Sequence, residues 1–185
     1  IAAVLTHPKY TQPQIFTVFF GGVYITGAFS AMAALFNAAP SHPAAYVLMV
    51  FFGACFTDIF AYFTGRFLGK HKLIPEISPK KTIEGSVGGT LFCAVAFVVY
   101  GVILDLIGAS VSLNYVALIV GGLLAAIVSQ IGDLMFSAIK RSRGIKDYGK
   151  IFPGHGGVMD RFDSILAVST VILIICTVAP PFVVA

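Results

Sequence analysis

The chain contains five apolar stretches, at about 15–39, 44–68, 87–109, 115–139 and 162–181. Each is near or above the roughly 20 residues that an α-helix, rising 1.5 Å per residue, needs to cross a hydrocarbon core about 30 Å thick. In hydrocarbon a backbone N–H or C=O must find its partner within the protein, so stretches of this kind are expected to be spanning helices. Composition agrees: 58% of the 185 residues are hydrophobic and 11% are charged, whereas soluble domains carry about 25% charged residues. The expectation is an all-α, polytopic transmembrane helical bundle of about five spans, forming one domain over 1–185. The first residue is Ile1, and the start lacks the basic opening and small-residue cleavage pattern of a signal peptide, so the chain is read as a fragment or processed product.

Cys55, Cys93 and Cys176 stand singly inside apolar runs, without disulfide or zinc spacing. They are expected to be small buried apolar residues. The segment PSHP at 40–43 reads as a tight hairpin between the first two spans.

Two loops carry the polar chemistry, GKHKLIPEISPKKTIEGS after the second span and KRSRGIKDYGKIFPGHGGVMDR after the fourth. Arg66, Lys70, Lys72, Lys80 and Lys81 surround the first; Lys140, Arg141, Arg143, Lys146, Lys150 and Arg161 lie in the second. Two spans separate the loops, which puts them on the same side of the membrane, and their Lys/Arg excess assigns that side to the cytoplasm. Lys9 precedes the first span and falls on the same side. The short loops point to a bacterial cytoplasmic membrane, and no nucleic-acid partner is expected.

Asp58 lies eight residues before Arg66 and Asp133 seven before Lys140, each about two helical turns, roughly 10–12 Å, inside its span. A carboxylate at that depth is costly unless paired, protonated or bound to a cation, which makes it a functional candidate. A salt bridge to a nearby snorkelling cation explains one isolated acid equally well; two at matched depth favour function. Asp160 and Asp163, three residues apart at the entrance to the fifth span, share one helix face. Up to four carboxylates thus converge beside a cluster of Lys and Arg, a chemistry suited to Mg²⁺ and phosphates. Gly156 and Gly157 permit close backbone approach or positive φ beside the acids. His155 between the glycines could donate to a phosphate, although a lone loop histidine is more often solvated.

The stretch SAIKRSRGIKDYGKIFPGHGGVMDRFD, 137–163, resembles the signature of the phosphatidate cytidylyltransferase family: Ser137, Lys140-Arg141, Lys146-Asp147, His155-Gly156-Gly157, then Asp160-Arg161-x-Asp163. A second block, DIFAYFTGRFLGKHKLIPEISPKKTIEGSVGG at 58–89, is similar to the same family. The resemblance implies a multi-span enzyme, usually longer at its N-terminus, that joins CTP to phosphatidate to form CDP-diacylglycerol and pyrophosphate. It implies Mg²⁺, with K⁺ as a second cation, and a homodimer among membrane lipids. By the resemblance Asp133 and Asp160 hold the metal, and Asp163 is a third ligand or orients Arg161. Asp58 positions the nucleotide or a basic residue. Lys80, Lys81, Lys140, Arg141 and Lys146 are expected to neutralise phosphate charge, and Thr82 and Glu84 to shape the nucleotide pocket. The remaining alternatives are the same chemistry on another lipid, a CTP-dependent lipid kinase, and an ion-coupled transporter, whose acids would lie nearer the midplane.

Overall fold

The computed structural model describes residues 12–38, 43–107, 111–149, 151 and 156–184. Five helices dominate: α1 (Gln12–Ala38), α2 (Pro43–Leu68), α3 (Ile83–Leu106), α4 (Tyr115–Ser142) and α5 (Met159–Val178). All five are long and apolar enough to cross a membrane. Two small antiparallel sheets complete the fold, β1 (Lys72–Ile74) with β2 (Ser78–Thr82), and β3 (Val111–Leu113) with β4 (Phe182–Val184).

The helices are apolar inside and out. Leu35, Met49, Phe97, Leu118 and Ile172 are fully buried at the centre, while Phe19, Phe63, Val95, Ile119 and Ile174 point outward. An all-round apolar surface on a helix of this length suits lipid as the surrounding solvent. Since lipid tails are as apolar as Leu, helix association rests on close packing and buried polar links. Gly88 and Gly89 on α3 supply such packing: a Cβ at Gly89 would stand 2.7 Å from the Thr57 carbonyl oxygen, and one at Gly88 would strike the Thr64 side chain. The α2–α3 crossing therefore depends on the absence of side chains. Polar links come from Ser169 Oγ, which donates to Ala28 O at 3.0 Å and ties α5 to α1, and from Gln130 Nε2 on α4, which donates to Thr90 Oγ1 of α3 at 3.1 Å.

Several boundaries differ from those read in the sequence. Helix α3 begins at Ile83 rather than near 87, because Thr82 caps it, its hydroxyl accepting from Gly85 N at 3.1 Å. The charged segment after α2 is a β-hairpin rather than plain loop. Cys93 is buried as expected, but Cys55 is exposed on the outer surface of α2, where an apolar surroundings accepts a thiol without burial in protein. The 40–42 part of the PSHP turn and Lys9 lie outside the described residues. Chain alternation puts the C-terminal ends of α2 and α4, the β1–β2 hairpin and the N-terminal ends of α3 and α5 at one end of the bundle. The β3–β4 sheet sits at the other, where the Tyr46 hydroxyl donates to Phe182 O at 2.9 Å.

Candidate functional site

The hairpin carries a lysine into the bundle mouth. Its frame is fixed at both ends: Ile83 N donates to His71 O at 3.0 Å, His71 N donates to the Glu84 carboxylate at 3.2 Å, and the His71 ring Nδ1 meets Glu84 Oε1 at 2.6 Å. Thr82 is pressed against α2, where a Cβ on Gly65 would lie 2.6 Å from the Thr82 hydroxyl. With the hairpin so pinned, Lys81 reaches α4 and forms an ion pair with Asp133. Both side chains are about three-quarters buried, at 24% exposure each, and the ammonium nitrogen itself is shielded, held by charge rather than by an aligned hydrogen bond.

A second pair lies alongside. Lys140, in the last turn of α4, donates from Nζ to Asp160 Oδ1 at 2.7 Å, and Asp160 opens the first turn of α5, where the helix dipole favours an acid. The other oxygen, Oδ2, accepts from Tyr148 N at 2.8 Å and Gly157 N at 2.9 Å. Two glycines make this possible. Gly156 has φ +84°, and a Cβ there would stand 3.0 Å from Asp160 Oδ2; a Cβ on Gly157 would lie 2.7 Å from Gly149 N. Tyr148 and Gly157 are thus held to Asp160 by their own backbone amides. Tyr148 covers the pair, its ring centroid 5.5 Å from Lys140 Nζ. Its phenol is pushed upward by burial and by the charges of Asp160 and Asp163, so it stays protonated and donates to Phe136 O at 3.2 Å.

Asp163 is buried one turn into α5, its Oδ1 accepting from Ser164 N at 2.8 Å, and it lies within electrostatic reach of Asp133, Lys140 and Asp58. Asp58 on α2 lies within reach of Lys81 and Asp133. It keeps accessible surface although protein atoms crowd around it, as for a group lining a recess. Asp58, Asp133 and Asp163 therefore lie within electrostatic reach of one another at one end of the bundle, with Lys81 and Lys140 beside them, and Asp160 stands one turn before Asp163.

The other expected residues fall into three groups. Lys80, Arg141, Lys146 and Arg161 are exposed at the same end, Arg141 donating to Ile145 O at 3.1 Å. Thr82 and Glu84 serve the hairpin, as helix cap and as partner of His71, so their visible work is to aim Lys81. His155 lies outside the described residues. His71 was not singled out by sequence, because a solitary histidine in a charged loop carries no pattern. Gln130, with Ser86 and Thr90, forms a buried polar link one helical turn deeper than Asp133, and it too escaped notice.

Among the described residues no three His, Cys, Asp or Glu side chains are grouped to hold a metal ion by themselves. The donors present are hard carboxylate oxygens, which fit an ion such as Mg²⁺ that takes one or two carboxylates and completes its shell with phosphate oxygens and water. Asp133, engaged by one lysine, is the more open carboxylate; both Asp160 oxygens already have partners.

A bundle of five helices long and apolar enough to cross a membrane, with acids and cations gathered at one end, defines an integral membrane protein. The sequence model of the Cytidylyltransferase family matches residues 1–179, and the chain belongs to that family. It is similar to the phosphatidate cytidylyltransferase of Staphylococcus haemolyticus (strain JCSC1435), 44% identical over 123 residues, covering 66% of this chain and 45% of that protein. It is likewise similar to the phosphatidate cytidylyltransferase of Bacillus subtilis (strain 168), 44% identical over 127 residues with the same coverage. The chain spans a little under half the length of these relatives.

Proposed function

We propose that the chain carries the reaction centre of a phosphatidate cytidylyltransferase, embedded in a bacterial cytoplasmic membrane with its site facing the cytoplasm. A phosphate oxygen of phosphatidate attacks the α-phosphorus of CTP, the bond to the β-phosphate oxygen breaks, and pyrophosphate leaves as CDP-diacylglycerol forms. The nucleophile is a phosphomonoester, whose second ionisation falls near pH 6, so it needs no strong general base. The protein's task is positioning and charge neutralisation.

The observation that carries this reading is the pairing of Lys81 with Asp133 and Lys140 with Asp160 at one end of the bundle. Two lysines paired with acids at the hairpin end of the bundle supply the positive charge that a polyphosphate and a lipid phosphate need. Lys81 exchanges its contact with Asp133 for a phosphate oxygen when substrate arrives, and Asp133 then becomes available to the metal. Mg²⁺ on Asp133 and Asp160, with K⁺ as a second cation, would supply Lewis-acid neutralisation of the phosphates. Lys80, Arg141, Lys146 and Arg161 draw CTP from water. The glycines Gly156 and Gly157 let the backbone approach a phosphate, and His155 serves as a donor to it. The active unit is a homodimer.

Product analysis tests the reaction class. Full-length protein in membranes, given CTP, phosphatidate and Mg²⁺, should release pyrophosphate in step with CDP-lipid. Release of CDP, with γ-phosphate on the lipid, would replace this reading by a CTP-dependent kinase.

A further inference from the structure

Gln130 lies on α4, three residues and about 4.5 Å along the helix axis before Asp133. It is 6% exposed, and its carboxamide is fully engaged. Oε1 accepts from Ser86 Oγ on α3. Nε2 donates to Thr90 Oγ1 at 3.1 Å and shares its hydrogens with the carbonyl oxygens of Ser86 at 3.3 Å and of Ala126, on its own helix, at 3.2 Å. Thr90 Oγ1 in turn donates to Ser86 O at 2.9 Å. A network closed in this way has no donor left to offer a substrate. It holds the first two turns of α3 against α4, and a buried polar network that is fully satisfied makes a rigid joint.

The joint sits where it bears on the lysine. Ser86 is four residues beyond Thr82, the cap of α3, and Thr82 directly follows Lys81. Asp133 stands one turn beyond Gln130. The Lys81–Asp133 ion pair and the Gln130–Ser86–Thr90 link are therefore two rungs between the same two segments. The first rung opens in the proposed reaction, when Lys81 leaves Asp133 for a phosphate; the second carries no charge that a phosphate would draw away. Deeper in the bundle the same helices meet through glycine instead, where a Cβ at Gly122 would stand 2.6 Å from Ala94 Cα and one at Gly101 2.8 Å from Leu118 Cδ1.

We propose that Gln130 is a positioning residue, whose clamp on Ser86 and Thr90 fixes Lys81 relative to Asp133 and keeps α3 on α4 while that pair is open. Its effect on turnover rests on the reading of the chain as a cytidylyltransferase; the placement of Lys81 does not.

The shielded Lys81 ammonium gives a readout that needs no turnover, and Lys80, exposed on the same strand, is its internal reference. Full-length protein in membranes would be treated briefly with an amine-acetylating reagent, and the ratio of modified Lys81 to modified Lys80 read by mass spectrometry. Gln130→Met fills the same space without hydrogen bonds and should raise the ratio about fivefold, the factor expected when constraint worth about one hydrogen bond is lost. Ser86→Ala, which leaves the Gln130–Thr90 bond in place, should raise it about twofold and decides the matter if Gln130→Met does not fold. Gly101→Ala disturbs the same helix pair far from the site, against a leucine side chain that can yield, and should leave the ratio unchanged. An unchanged ratio in folded Gln130→Met, or in Ser86→Ala where that variant decides, would overturn the proposal, as would an equal rise in Gly101→Ala. In kinetics Gln130→Met should lower kcat about tenfold in the parent and have no further effect in a Lys81→Met background, since both act through the same lysine. Equal losses in the two backgrounds would reduce the link to ordinary packing and overturn the proposal. A folded parent that makes no CDP-lipid while the ratio still responds would refute the cytidylyl-transfer reading and leave the placement of Lys81 by Gln130 standing.

Discussion

Lys81 on β2 and Asp133 on α4 form an ion pair that bridges the hairpin and the membrane helix, each side chain about three-quarters buried. Truncating one member of such a pair costs more than the roughly 0–1 kcal/mol lost at an exposed salt bridge, because it strands the other charge. Lys81→Met should therefore reduce cytidylyl transfer about a hundredfold, near 2.7 kcal/mol of lost stabilisation at the transition state. The double variant Lys81→Met/Asp133→Asn should be no slower than Asp133→Asn alone, since members of one unit do not add. Steady-state kinetics on the three proteins decide it; multiplicative losses would separate the two residues.

Lys140 and Asp160 are more deeply buried, with side chains 10% and 4% exposed. Removing the lysine leaves a buried carboxylate held only by backbone amides. Lys140→Met should destabilise the protein by about 3 kcal/mol, and Lys140→Met/Asp160→Asn should recover most of that loss. Thermal unfolding in detergent measures both; a double variant as unstable as the single would show the pair contributes little.

Gly156 stands at φ +84° against the Asp160 carboxylate. Alanine there costs about 1–2 kcal/mol of backbone strain and crowds Oδ2. Gly156→Ala is expected to lower turnover at least about tenfold, as positional errors near reacting groups do. Unchanged kinetics would mean that the turn is not held this way during the reaction.

The His71–Glu84 contact is more exposed, with His71 at 74%, so its removal should leave global stability little changed. Its effect should appear in the aim of the hairpin. Glu84→Ala is expected to speed amide exchange across 72–82 and to raise the KM for CTP, with total helix content unchanged. Equal exchange in variant and parent would remove the positioning role.

The spans were legible because a long apolar run has one structural outcome in lipid, and Asp58, Asp133, Asp160 and Asp163 stood out because carboxylates are costly there. What joins them was not. The register that brings Lys81 to Asp133 depends on a hairpin whose strands are three and five residues long, with Pro79 inside one of them, and on three-dimensional closeness between α2 and α4. Neither leaves a periodic trace. Glu84 and Thr82 were read as nucleotide contacts because they flank the lysines; structure gives them local partners, His71 and the α3 N-terminus, that proximity in sequence could not reveal. Strands β3 and β4 come from distant segments, and only the fold brings Val111 beside Val184.

In the proposed reaction these acids and lysines support transfer of a cytidylyl group to a lipid phosphate. Its most direct test is incorporation of label from [α-³²P]CTP into phosphatidate by the full-length protein and its Asp133→Asn variant, compared in the same membranes at equal folded amount. Labelled lipid is expected from the parent and at most about one per cent of it from the variant, a loss of some 2.7 kcal/mol or more. Equal incorporation by the two, or none by the folded parent, would contradict it.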